Sequence, residues 1–122
     1  MNPMLKKWLY RVLEIATKKE NRFRELFYQK RKNIPEEKAD IFESFFYNRL
    51  RRLTNLQDEG TQIIVDRWFD CVFMDEGTQE EQLKNYVEQE FQTKLNEVYG
   101  NCVSDLEEKT KLLGVNYAER NI

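Results

Sequence analysis

The chain has 122 residues, of which 40% are hydrophobic, 34% charged and 13% aromatic, with a formal net charge of −2. That length suits one domain with a core of its own, and the aromatic share argues against disorder, since disordered chains are poor in such residues. Four glycines and two prolines are too few for the closely spaced turns of an all-β domain, and the absence of histidine removes the commonest general base and all imidazole metal ligands.

The first predicted element opens with Asn2 as N-cap and Pro3 at the first helical position, a favoured pairing because the missing proline N–H would have had no partner there. Leu5, Trp8, Leu9, Val12, Leu13 and Ala16 then recur at helical spacing, opposite Lys6, Lys7, Arg11, Glu14 and Lys18. Residues 17–22 carry no apolar side chain. They are either a turn or an exposed stretch of one continuous helix. Phe23, Leu26 and Phe27 resume the stripe, flanked by Arg22, Arg24, Lys30, Arg31 and Lys32.

Asn33-Ile34-Pro35 interrupts the pattern, and Pro35, Glu36 and Glu37 suit the first turn of a helix. Ala39, Phe42, Phe45, Phe46, Leu50 and Leu53 form a wide apolar face, inside which Arg49 falls. Two accounts fit Arg49: a side chain snorkelling at the face's edge, or a partly buried cation paired with a carboxylate. Gly60 is the expected C′ residue of this helix.

Residues 61–75 follow as a separate segment. Ile64, Val65, Trp68, Phe69, Cys71, Val72 and Phe73 cover most of its circumference, so as a helix it belongs in the middle of a bundle. Its β-branched and aromatic content makes a strand the rival reading. Gly77 closes the segment, and Thr78 with Glu81 has the spacing of a capping box. Val87, Phe91, Leu95, Val98, Cys102 and Leu106 then project within about a 100° arc. That last helix runs unbroken to Leu113 or bends at Gly100-Asn101, with a frayed tail after Gly114.

These segments predict an all-α, single-domain bundle of about four to five helices over residues 1–122, with a long C-terminal helix. Cys71 and Cys102 lie in apolar runs without a CxxC pattern, which fits buried reduced thiols. The amino terminus has no uninterrupted apolar core of a signal peptide, and no stretch approaches a membrane span. A cytoplasmic protein is expected. Basic, amphipathic helix 1 with Trp8 could lie on a membrane surface, but its apolar face is more simply core, so no membrane partner is expected.

The small net charge hides a split. Residues 1–53 hold 14 Lys+Arg and 7 Asp+Glu, whereas residues 54–122 hold 6 and 15. Charge asymmetry of this kind suggests partners of opposite sign. In the basic half Lys6, Lys7, Arg11, Lys18, Lys19, Arg22, Arg24, Lys30, Arg31, Lys32, Arg51 and Arg52 are candidate contacts to nucleic-acid phosphates. Tyr10, Tyr28 and Tyr47 lie among them and are able to stack on unpaired bases. The competing reading is that the two halves neutralise each other within the fold. In the acidic half Asp58, Glu59, Asp66, Asp70, Asp75, Glu76, Glu80, Glu81, Glu88 and Glu90 form an ordinary solvated surface, dock a basic partner, or imitate a nucleic acid.

Catalysis is not expected. Asp66 and Asp70, with Asp75 and Glu76 near, are the best carboxylate set for a divalent cation. Metal-dependent helical hydrolases, however, repeat Glu-x-x-Glu/Asp motifs across two helices, and the chain offers only weak spacings such as Glu37 with Asp40 and Asp105 with Glu108. A Gly-rich phosphate loop, GxSxG and a Walker lysine are all missing from the sequence, and no cofactor is expected. At the level of architecture, a small helical bundle with one basic face resembles the small helical subunits of nucleoprotein complexes, CRISPR effector small subunits among them. The resemblance implies a non-catalytic accessory subunit that holds nucleic-acid backbone beside other protein subunits, with oligomerisation open. The alternative is a protein-binding adaptor, or an inhibitor of a nucleic-acid-handling enzyme, acting through the acidic half.

Overall fold

A computed structural model describes residues 1–114, which form three long helical runs and, among the described residues, no strand. The first is α1 (Pro3–Arg31) and the second α2 (Ala39–Asp70), entered through a 3-10 turn at Glu36–Lys38. The third run comprises α3 (Glu76–Asn85), a π-helical segment (Tyr86–Phe91) and α4 (Gln92–Leu113). The expected count of four to five helices in a bundle is therefore replaced by three runs. The expected fraying after Gly114 lies outside the described residues.

α1 starts as the sequence indicates: Asn2 Oδ1 accepts from the backbone N–H of Met4 (2.9 Å) and Leu5 (3.3 Å). Residues 17–22 are helical throughout, the second of the two options. The stripe continues there because Ala16 and Glu20 are buried between Val12 and Phe23. Glu20 accepts a hydrogen bond from the Thr54 hydroxyl of α2 (3.1 Å), which offsets part of the cost of burying a carboxylate.

α1 and α2 are antiparallel. Phe27 stacks on Phe46 with ring centroids 4.1 Å apart and on Phe42 at 5.3 Å, and Phe23 stacks on Phe46 at 5.3 Å. At the other end Gly60 faces Val12. Gly60 is thus not a C′ residue. Its φ is not positive and α2 runs through it for ten more residues. It is a close-approach site: a Cβ there would lie 2.6 Å from Phe91 Cε1 and 3.1 Å from Val12 Cγ1. Glycine lets three helices meet at one level, outweighing its helix-propensity cost of about 1 kcal/mol.

Consequently residues 61–75 are not a separate element. Residues 61–70 are the last turns of α2, and residues 71–74 turn toward α3. The Gln79 side chain, buried itself, donates to the Trp68 carbonyl (3.0 Å) and ties α3 to the end of α2. Gly77 lies inside the first turn of α3 rather than before it. The expected Thr78–Glu81 capping box is replaced by an Asp75 cap: Oδ1 accepts from Thr78 N–H (2.9 Å) and Oδ2 from the Thr78 hydroxyl (2.9 Å).

The third run returns antiparallel to α2, as Lys94–Glu59 (3.0 Å) and Arg49–Asp105 (2.9 Å) show. It does not bend at Gly100; both Gly100 and Asn101 are ordinary helical residues of α4. The irregularity is the π segment. At about 100° per residue, buried Gln79, Leu83, Tyr86 and Val87 centre roughly 130° away from buried Leu95, Cys102 and Leu106. A regular helix would turn one of these sets out of the core. The wider π turn absorbs about one extra residue and brings both sets onto the same core. Leu83 and Tyr86, which fall off the later arc, are the sequence signal for it. One contiguous core joins all three runs and contains buried Cys102, while Cys71 is buried at the end of α2; both thiols are free.

Candidate nucleic-acid interface

The antiparallel packing sorts charge along the bundle axis. The pole holding the α1–α2 hairpin and the later part of α4 (residues 17–56 and 98–114) contains 13 Lys+Arg against 9 Asp+Glu, a net of +4. The opposite pole (residues 1–16 and 57–97) contains 6 against 12, a net of −6. The split read along the chain is therefore partly preserved in space, although the amino-terminal cations of α1 lie at the acidic pole.

The twelve cations named from the sequence separate into three groups. Lys7 pairs with Glu80 (2.8 Å), Arg11 and Lys18 share Glu14 (3.1 and 3.3 Å), Arg31 pairs with Glu36 (3.0 Å), and Arg52 approaches Asp105 (3.8 Å). These are largely exposed pairs worth about 0–1 kcal/mol each, so a phosphate can compete for the cations. Lys6 lies over Tyr10 (5.6 Å) and Lys19 over Tyr99 (4.7 Å). Arg22, Arg24, Lys30, Lys32 and Arg51 have no carboxylate within ion-pair distance among the described residues, and all five belong to the +4 pole.

These residues do not form one continuous face. Helical phase puts Arg24 and Tyr28 on the flank of α1 that turns toward α2, and Tyr47 and Arg51 on the flank of α2 that turns toward α1. Tyr28 is 65% exposed and Tyr47 58%. Arg11, Lys18 and Arg22 occupy the other flank of α1, toward α4, and Arg52 lies on the α4 side of α2. Tyr10 is exposed but at the acidic pole.

Arg49 takes the second of its two accounts. Its Nε donates to Asp105 Oδ2 at 2.9 Å and its guanidinium carbon lies 4.3 Å from the Phe45 ring centroid, with the side chain 19% exposed. Lys109 approaches the same ring at 5.3 Å. Arg49 is thus a structural bolt between α2 and α4. Sequence reasoning detected its unusual phase but had no local sign of Asp105, 56 residues away.

On the acidic side, Glu59, Glu80 and Glu90 are in ion pairs with Lys94, Lys7 and Arg67. Asp66 accepts from Gln62 (2.9 Å). Among the described residues no three His, Cys, Asp or Glu side chains converge on a metal position, so Asp66, Asp70, Asp75 and Glu76 are not gathered into a set. Among the described residues three groups titrate away from their usual ranges. The two Thr78 hydrogen bonds hold the Asp75 carboxyl below its ordinary value. Burial, reinforced by Glu59, pushes the Tyr86 phenol up to about 12, with Arg67 opposing. Burial also raises the Cys102 thiol, so that sulfur is a core group whose Sγ contacts the Arg49 carbonyl (3.6 Å) rather than a reactive thiolate.

Fold and surface together define an all-helical protein of three long runs whose two ends carry opposite charge among the described residues. No described helix is long and apolar enough to cross a membrane. Comparison with known proteins adds no relative: no family model, no curated protein and no solved structure matches the chain.

Proposed function

We propose that the protein is a non-catalytic helical binding module that contacts nucleic-acid backbone through its α1–α2 hairpin pole, as an accessory subunit of a larger nucleoprotein assembly. The observation that carries this reading is that five cations without carboxylate partners among the described residues lie at one pole, where exposed Tyr28 and Tyr47 share the α1–α2 flanks with Arg24 and Arg51. Cations draw phosphates by counterion release, and exposed aromatic rings stack on unpaired bases. Such a surface recognises backbone and is tolerant of sequence.

The test is fluorescence anisotropy with labelled single-stranded DNA and RNA at about 50 and 200 mM salt. Replacing Arg22, Arg24, Lys30, Lys32 and Arg51 together by Ala should reduce the log–log salt slope by up to about 3.5, from roughly 0.7 per phosphate contact. Replacing Lys7, Arg11 and Lys18, which already have carboxylate partners, should change it less. Unchanged affinity in the five-site variant would remove the reading.

A further inference from the structure

The opposite pole carries a feature that backbone contact does not use. Around the end of α2 the chain reads Asp66-Arg-Trp-Phe69-Asp70-Cys-Val72-Phe73-Met74-Asp75-Glu76. The sequence expectation of an all-round apolar helix in mid-bundle is overturned here. Of its large apolar side chains only Ile64 and Cys71 are buried, while Phe73 is 95% exposed, Phe69 60%, Val72 48% and Met74 45%. The physical reason is that α2 ends at Asp70: Phe69 projects from its last turn away from the core, and of the turn residues that follow only Cys71 is buried.

Phe69, Val72, Phe73 and Met74 are close together in the chain and all exposed, and apolar exposure concentrated in one place marks recognition surfaces where singly scattered residues do not. Aromatic anchors of this kind dominate binding once a partner desolvates them. The rim is acidic: Asp70 and Glu76 have no ion-pair partner among the described residues, and Asp66 keeps one oxygen beyond its Gln62 bond. The pole as a whole is at −6. A symmetric contact between two copies at this corner would set these carboxylates against each other. A head-to-tail contact would assemble copies into a closed ring or an open filament, and the cations of the opposite pole are spread over both flanks of the hairpin rather than gathered on one face to meet this rim. Charge and apolarity together select a different occupant.

We propose that the corner formed by Phe69, Val72, Phe73 and Met74 docks a basic amphipathic segment of a partner protein. Its apolar side chains cover Phe69 and Phe73, and its Lys or Arg residues meet Asp66, Asp70 and Glu76. This goes beyond the nucleic-acid reading and uses the other pole, so the two fail independently. In combination they make the molecule a bridge, with phosphate backbone at one end and a protein at the other.

The probe is a synthetic Leu/Lys amphipathic helical peptide of about 14 residues, or about four turns, titrated into the isotope-labelled full chain and followed by amide chemical shifts. Its Leu/Glu counterpart and a scrambled Leu/Lys peptide are the comparisons. Binding should perturb residues 66–76 first. It should weaken about tenfold or more in Phe69→Ser/Phe73→Ser and, at low salt, in Asp66→Asn/Asp70→Asn/Glu76→Gln. The scrambled peptide should bind at least tenfold more weakly than the amphipathic one, and the Leu/Glu peptide should not bind. Both sets of variants alter exposed side chains and should leave the circular-dichroism spectrum unchanged, and the charge-neutral Phe69→Ser/Phe73→Ser variant should also leave polynucleotide affinity unchanged. Shifts spread over the other carboxylates of the pole, or equal binding by the Phe69→Ser/Phe73→Ser variant, would overturn the proposal. So would a concentration-dependent dimer in sedimentation equilibrium that Phe73→Ser abolishes, which would assign the corner to a second copy instead.

Discussion

Two glycines in long helices should respond to the same substitution with opposite signs. Gly100 has open space around the position of a Cβ, with nothing within 4 Å. Gly100→Ala therefore gains the helix-propensity difference of about 1 kcal/mol and loses nothing. Gly60→Ala gains the same propensity, but its Cβ would lie 2.6 and 2.8 Å from Phe91 Cε1 and Cδ1. The ring would have to retreat by about 1 Å to restore normal carbon–carbon contact. Phe91 is 2% exposed and closes the π segment, so it has little room to move. Overpacking of this kind costs about 1–3 kcal/mol against the propensity gain of about 1 kcal/mol, leaving Gly60→Ala at a net loss of up to about 2 kcal/mol. At roughly 2.1 cal/mol/K per residue, 1 kcal/mol corresponds to about 4 °C for a chain of this length. Thermal and urea unfolding followed at 222 nm should show Gly100→Ala melting higher, and Gly60→Ala lower, than the parent. If both variants rise equally, Gly60 is not a close-approach site and the packing argument for the three-helix junction fails.

Three further outcomes follow from the same contacts. Asp105→Ala removes the partner of Arg49 while leaving its guanidinium 19% exposed over Phe45; the cost should be about 1–2 kcal/mol in urea unfolding, and an unchanged midpoint would mean the bridge is ornamental. Because the folded-state value of Asp75 is depressed, its cap stabilises α3 above the ordinary carboxylate range and is lost as pH falls through that depressed value. Comparing the parent with Asp75→Asn in acid titrations of stability should show a smaller drop for the variant, whose cap does not titrate. Tyr86 behaves in the reverse sense: a phenol raised from 10.0 to about 12 contributes stability that is intact below pH 10 and disappears as pH rises toward 12. Tyr86→Phe should flatten that alkaline loss, and a tyrosinate absorbance titration should lose the component that ionises at about 12.

Much of the architecture was legible because helices announce themselves locally. The Asn2-Pro3 start, the stripe from Leu5 to Phe27 and the face from Ala39 to Leu53 all appear where periodicity puts them. Interruptions were misread because their meaning is set at a distance. Gly60 has the composition of a helix end, and only Val12 and Phe91, remote in sequence, turn it into a contact point. Residues 71–74 share the apolarity of a core helix, and only the position of α2's last turn decides that Phe73 faces water. The candidate cations were legible as a set but their pairings were not. Lys7 meets Glu80 and Arg52 approaches Asp105 across separations that local spacing does not encode.

The separation of charge along the bundle also bears on how the molecule approaches a partner. With helices of 29 and 32 residues, the +4 and −6 poles are centred about 25 Å apart at 1.5 Å per residue. That is a large permanent dipole moment for so small a particle. Near an extended polyanion it exerts a torque that swings the hairpin foremost before any side chain touches. Counterions erase the torque once the Debye length falls below the span of the molecule, at about 8 Å in physiological salt. Pre-alignment would thus speed encounter in dilute buffer and leave the final grip to short-range contacts in concentrated salt.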